Sequence, residues 1–155
     1  IKGPAGPILY HGGGLLTVNG EVTQVVHLNL IAGGTGITPI YHLIRSILHD
    51  QDDATTMILL FSNKTIDDIL LRDDLDNLQH QNPNRLRIIH IVSRDAPPDW
   101  PFETGHLNEH MIRRHLAPPD DESVTLLCGP PPMIERACRP ALKNSGYSDD
   151  RIFEF

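Results

Sequence analysis

Apolar and polar positions change rhythm near residue 25 and then repeat one pattern to the C-terminus. Before that point, Ile8 to Tyr10 and Leu15 to Val18 read as short strands. Asn19-Gly20 signals a hairpin, because both residues accept positive φ. From Val25 to Ala32 the chain is extended and mostly apolar, a strand pattern. A glycine-rich turn follows. Ile40, Leu43, Ile44, Ile47 and Leu48 then fall on one helical face, with Thr38 as the expected N-cap and Pro39 as the first helical residue. Met57 to Phe61 is the next strand. Thr65 with Asp67 and Asp68 resembles a capped helix start, Leu71, Leu75 and Leu78 give that helix its apolar face, and Asn82-Pro83-Asn84 ends it. Leu86 to Val92 and Val124 to Leu127 read as strands, Asn108 to His115 as a short helix. Pro132 to Lys143 forms a last helix that Pro140 kinks or ends, and Arg151 to Phe155 a final strand.

Strands alternating with helices through short turns predict an α/β fold. It is a Rossmann-like parallel sheet of about five strands, with helices on both faces and a short N-terminal β-hairpin leading in. The expected division is 1–25 as linker and hairpin, and 26–155 as the domain proper. Ligands of such sheets bind beyond the carboxyl ends of the strands. That directs attention to Gly33-Gly34-Thr35-Gly36, Ser62-Asn63-Lys64, Ser93-Arg94 and Cys128-Gly129-Pro130.

Composition narrows the field. With 13 Lys and Arg against 20 Asp and Glu, the net charge of −7 argues against nonspecific nucleic-acid binding. The longest apolar runs are far too short to span a membrane, and no secretory leader opens the chain. Two cysteines fit a reducing, cytoplasmic setting and make no disulfide scaffold. An opening on Ile1-Lys2-Gly3-Pro4, without methionine, reads as a piece of a longer polypeptide.

The chemistry concentrates in two turns. Gly33-Gly34-Thr35-Gly36-Ile37-Thr38-Pro39 joins a strand to a helix, where free N–H groups and the helix dipole suit a pyrophosphate. It also reads as a plain tight turn, and Pro39 stands where a dinucleotide fingerprint would place its third glycine. Cys128-Gly129-Pro130-Pro131-Pro132-Met133 follows another strand. Its cysteine reads either as a thiolate beside a helix start or as a small buried hydrophobe. His106, His110 and His115 contain an i, i+4 pair but no evident third ligand, so they read as exposed helix histidines and no metal is assigned. Asp73, Asp74 and Asp76 read as a solvated helix face, Trp100 as a packing anchor.

Taken together, the two turns resemble the paired signatures of the pyridine-nucleotide domain in ferredoxin reductase-like flavoenzymes. Within these, the sequence resembles the cytochrome b5 reductase and eukaryotic assimilatory nitrate reductase family. Lys2-Gly3-Pro4-Ala5-Gly6, Asn63-Lys64-Thr65, Asp67-Asp68-Ile69-Leu70-Leu71 and the terminal Phe155 support that branch. The resemblance implies that Gly33, Gly34, Thr35, Gly36, Thr38 and Pro39 lie under the pyrophosphate and nicotinamide ribose. It implies that Cys128 orients hydride transfer without forming an adduct, that Gly129, Pro130 and Met133 shape its pocket, and that Phe155 sits near the flavin. No Arg-x-Tyr-Ser/Thr motif occurs, so FAD is expected on a preceding domain of the same polypeptide.

Relatives that use NADH tend to carry an acid at the end of the third strand. Here Ser93-Arg94 stands there, and a guanidinium suits a 2′-phosphate. The expectation is an NADPH-binding lobe of a fungal-type nitrate reductase, inactive without its FAD domain. Electrons would pass from FAD through a haem domain to molybdenum, where nitrate becomes nitrite. A cytochrome b5 reductase fragment and a non-catalytic nucleotide-binding module are the alternatives.

Overall fold

The structure, a computed structural model, describes residues 8–155; the Lys2-Gly3-Pro4-Ala5-Gly6 segment lies outside the described residues. Two sheets form. β1 (Ile8–Gly12), β2 (Leu15–Val18) and β3 (Glu21–Gln24) make a three-stranded antiparallel sheet. Asn19 (φ 52°) and Gly20 (φ 83°) turn β2 into β3, so the predicted hairpin gains a third strand.

The second sheet holds β4 (His27–Gly33), β5 (Thr56–Asn63), β6 (Leu86–Val92), β7 (Glu103–Thr104), β8 (Ser123–Cys128) and β9 (Ile152–Glu154). All pairings are parallel, in the order β7-β6-β5-β4-β8-β9. The chain builds outward from β4 on one side, then returns to β4's other side with β8. The strand order therefore reverses between β4 and β8, where such sheets open a ligand crevice. β7 is the strand beyond the five anticipated. At two residues it is too short to leave an alternation in the sequence.

Helices α1 (Ile37–His49), α2 (Arg72–Gln81), α3 (Glu109–His115), α4 (Pro131–Met133) and α5 (Arg139–Asn144) cover both faces. Side chains alternate along each strand. Leu28, Leu30 and Ala32 of β4 share a core with Ile40, Ile44 and Leu75 of α1 and α2. Ile31, one step out of phase, joins Ile112 of α3 and Leu142 of α5 on the opposite face.

Two predicted helix starts are corrected. Gly36, not Thr38, caps α1, because a 3₁₀ turn over Gly34–Gly36 carries the chain directly into Ile37. Pro39 still falls in the first turn, where its absent N–H would have had no partner. Thr65 caps only a 3₁₀ turn, Ile66–Asp68, through a capping box with Asp68. Helix α2 starts later, at Arg72, behind Leu71 in a left-handed conformation (φ 57°). The last helical stretch does continue through Pro140. A π-turn over Ile134–Cys138 lies just before it, locally replacing the i, i−4 ladder that a proline cannot complete.

The N-terminal sheet is tied to the larger one by a polar knot. Asp53, 1% exposed, accepts hydrogen bonds from Tyr10 Oη, from Gly13 N–H (3.1 Å) and from Thr55 N–H (2.9 Å). Gly14 N–H donates to Tyr10 Oη at 2.8 Å. Burial alone would raise the Asp53 pKa, but the hydrogen bonds from Thr55, Tyr10 and Gly13 outweigh it and hold the carboxyl below its usual range. Asp53→Ala leaves these donors without their acceptor and should cost about 3 kcal/mol at neutral pH. The carboxylate's contribution is complete above the unfolded-state pKa, near 3.9, and is lost as pH falls through the lower folded value. Urea melts of wild type and Asp53→Ala should therefore differ at pH 7 and converge at strongly acid pH. A gap that persists unchanged there would show that the carboxylate is not the source.

Candidate functional site

Four strand ends lie level across the sheet. Gly33 pairs with Ser62, Asn63 with Val92, and Ala32 with Cys128. The turn after β4 and the turn after β8 meet at the reversal point, backbone against backbone. A Cβ on Gly36 would stand 2.2 Å from the Cys128 carbonyl oxygen, so only glycine permits this approach. A Cβ on Gly33 would meet the Met133 sulfur at 2.3 Å.

Above the contact lies a groove of about 460 Å³. Gly33, Gly34 and Thr35 form one wall together with Pro130 and Met133, and Ser93 lies on its lining as well. Six of the sequence-derived site residues thus converge. Gly36 and Gly129 sit behind the wall and hold it together. Thr38, exposed, and Pro39, half-buried, ride on the first turn of α1 and do not line the groove. Arg94 is exposed beside the groove, next to Ser93, with its N–H on the Lys64 carbonyl at 2.8 Å. Phe155 donates its N–H to Leu127 O at 2.9 Å and is thereby carried one step beyond the Leu127–Glu154 pair, level with Cys128.

The electrostatics favour an anion. Helix α1 has no side-chain cap and no acidic residue in its first turn, so its positive end is not neutralised locally. Lys64 and His106 add donors on the lining. Asp68 is the one acidic residue there, and its carboxylate already accepts Thr65 N–H (3.1 Å) and Oγ1–H (2.9 Å). Burial pushes the Cys128 thiol up, and pushes Cys138 up to about 12 with Arg139 opposing the rise. Both therefore stay protonated near neutrality. A thiolate nucleophile is not supported.

Sequence reasoning passed over Leu70 and His106. Leu70 is 45% exposed on the groove because the Ile66–Asp68 turn postpones α2. Its signal was available, since Leu70 breaks the spacing of Leu71, Leu75 and Leu78. His106 precedes α3, which Asn108 caps by accepting Met111 N–H at 3.0 Å. His115 corrects another expectation. Its side chain is 10% exposed and its Nε2 lies 2.6 Å from Glu103, because the end of α3 packs on the unanticipated β7. His106 and His110 are exposed as read. Trp100 does anchor the proline-rich loop, donating Nε1–H to Glu103 O at 3.1 Å and packing edge-on to Phe102.

Substitutions should separate wall from scaffold. Gly36→Ala drives a Cβ into fixed backbone and should cost about 3 kcal/mol, at the upper end of overpacking. Gly33→Ala meets a flexible methionine and should cost about 1 kcal/mol while displacing Met133 into the groove. Thermal melts rank the two; equal losses would contradict the packing described.

A family model described as the oxidoreductase NAD-binding domain matches residues 30–139. The chain is 42% identical to the NADH nitrate reductase of Volvox carteri, over all of this chain and 18% of that protein. It is 41% identical to NADH-cytochrome b5 reductase 3 of Rattus norvegicus, over all of this chain and 53% of that protein. The cytochrome b5 reductase domain of Ulva prolifera nitrate reductase superposes with a TM-score of 0.92 at 37% identity, over 99% of this chain and 59% of that one. The chain thus spans less than a fifth of this nitrate reductase and about half of this cytochrome b5 reductase.

Proposed function

Because the chain belongs to the oxidoreductase NAD-binding domain family, we propose that it is the NADPH-binding lobe of the flavin reductase part of a fungal-type nitrate reductase. The observation that carries this reading is the meeting of the two turns beneath one groove, with the uncapped Gly34–Gly36 turn that leads into α1 contributing to its lining. The residues fit a pyridine nucleotide. Gly34 lines the groove and opens onto space that a side chain would enter, and the uncapped Gly34–Gly36 turn leading into α1 suits a pyrophosphate.

In this reading NADPH supplies a hydride, and FAD on a preceding domain of the same polypeptide accepts it. Gly33, Gly34 and Thr35 hold the pyrophosphate. Cys128, protonated and half-buried, sets the position of the nicotinamide at the end of β8 and takes no covalent part. Met133 and Pro130, on the lining of the groove, shape the pocket beside it, and Phe155 takes the edge where the flavin approaches. Ser93 and Arg94 meet the 2′-phosphate. A haem domain is the electron acceptor, molybdenum is the site of nitrate reduction, and the setting is cytoplasmic. Among the described residues no helix is long and apolar enough to cross a membrane. A cytochrome b5 reductase is the second reading, supported by the equal likeness to the rat enzyme. NADPH-driven reduction of nitrate by the full polypeptide, against reduction of cytochrome b5 alone, separates the two. The chain by itself should bind NADPH weakly and show no turnover with added FAD; turnover at a flavoenzyme's rate would refute the division of labour.

Two substitutions in the full polypeptide test the residues. Cys128→Ser should lower kcat on the order of tenfold to a hundredfold through a misplaced donor, while contacts to the adenosine half hold KM nearly constant. A change confined to KM would instead signal lost uniform binding. Arg94→Asp removes a charge-assisted pair and adds repulsion to a 2′-phosphate, so the NADPH to NADH ratio of kcat/KM should fall by about tenfold or more. Arg94 is exposed, so added salt should erode the wild-type preference. An unchanged ratio would pass the role to Lys64.

A further inference from the structure

Asn63 closes β5 and is 8% exposed, yet its Nδ2 has no hydrogen-bond partner among the described residues. Buried amide donors are almost always paired, and an unpaired one destabilises the fold that contains it. The strand pattern gives no reason for an amide here. Leu59 and Phe61, which share its face of β5, are fully buried and apolar, and a valine or leucine would continue that face. The backbone at this position is fixed: Asn63 pairs with Val92, and its carbonyl accepts Ser93 N–H at 3.1 Å. The residue lines the groove. It lies at the end of the strand between β4, which carries the glycine turn, and β6, which leads to Ser93. The amide nitrogen is itself covered, but it belongs to a side chain that lines a groove, so a turn of that side chain brings the unpaired donor to a ligand acceptor there.

We propose that Asn63 is a nucleotide-positioning residue whose Nδ2–H donates to a 5′-phosphate oxygen in the adenylate half of the bound dinucleotide. This rests on the pyridine-nucleotide reading above. The α1 start takes one side of the pyrophosphate, and Asn63 reaches it from the adjacent strand. The backbone hydrogen bond from Ser93 to Asn63 then links the phosphate contact to the residue assigned to the 2′ position. Anchoring the middle of a long ligand in this way fixes where its two ends fall.

The test uses the full polypeptide, with calorimetric titration of NADP⁺, 5′-AMP and adenosine, and a thermal melt beside each. Asn63→Leu should weaken NADP⁺ and 5′-AMP by about tenfold, the loss of one hydrogen bond to a charged oxygen. It should leave adenosine binding unchanged. Its Tm should stay level or rise, because the substitution deletes an unsatisfied donor. Asn63→Val, neutral, without the donor and suited to a strand, carries the same binding test if leucine does not fold. Wild-type affinity for 5′-AMP in both variants would overturn the proposal. So would an equal loss for adenosine, which would place the contact on ribose or base. A marked fall in the Tm of Asn63→Leu would overturn it too, by revealing an internal structural partner for the amide. Wild type that binds neither NADP⁺ nor NADPH would instead remove the pyridine-nucleotide reading itself, and the proposal with it.

Discussion

Helix α1 can start where it does only because residue 36 has no side chain. Its Cα lies against the Cys128 carbonyl, and the two turns after β4 and β8 touch through backbone alone. Much follows from that contact. It brings the strand ends on either side of the reversal point to one level. It leaves Gly34 and Thr35, the turn that leads into α1, on the lining of the groove with no side-chain cap over them. It also lets Met133, on the turn after β8, lie across Gly33 and close the groove from above. A wall made of backbone is rigid and exposes N–H groups. That combination suits an anion whose oxygens need donors at fixed places.

The chain as a whole is acidic, with a net charge of −7, which sets a constraint on any anionic ligand. The groove resolves it locally. Its one carboxylate, Asp68, is committed to the backbone and hydroxyl of Thr65. The first turn of α1 carries no acid. Lys64 and His106 lie on the lining, and Arg94 stands exposed beside Ser93. Acids elsewhere, such as Asp73, Asp74 and Asp76, are exposed on α2, where solvent and salt screen them. Net charge therefore says little about this site; placement within a Debye length says more.

The sequence carried the α/β alternation and both glycine-proline turns because those features are periodic or local. A strand of β4's length leaves a run of apolar residues, and a helix as long as α1 leaves a face. What escaped has the opposite character. β7 is two residues long and pairs only with the end of β6, so nothing local announces it. Without β7, the burial of His115 against Glu103 could not be foreseen. The start of α2 was misplaced because Thr65 and Asp68 form the same capping box on a single 3₁₀ turn as on a helix. Local capping chemistry signals a first turn and is silent on whether a second follows. Asn63 escaped for another reason. It stood in the right strand-end segment, but an unpaired buried amide is a property of its surroundings, visible only when every neighbour is in place.

The division between wall and rim bears on how specificity can change. Gly33, Gly36 and Gly129 are tied to one another and to Met133 across the contact, so alterations there disturb folding and binding together. Ser93 and Arg94 sit on the other side of the groove, past the end of β6. Arg94 is exposed, and Asp95 beside it adopts a left-handed conformation (φ 55°) as the chain leaves the sheet. Their hold on the fold is through backbone, by the hydrogen bonds to Asn63 O and Lys64 O. A side-chain exchange at position 94 leaves those bonds intact and touches no core residue. The charge at this rim of the groove is thus adjustable at little expense in stability, while the backbone wall opposite is not. In the proposed nucleotide reading, a shift between phosphorylated and unphosphorylated ligands would need only the rim, and the packing around Cys128 would not have to move.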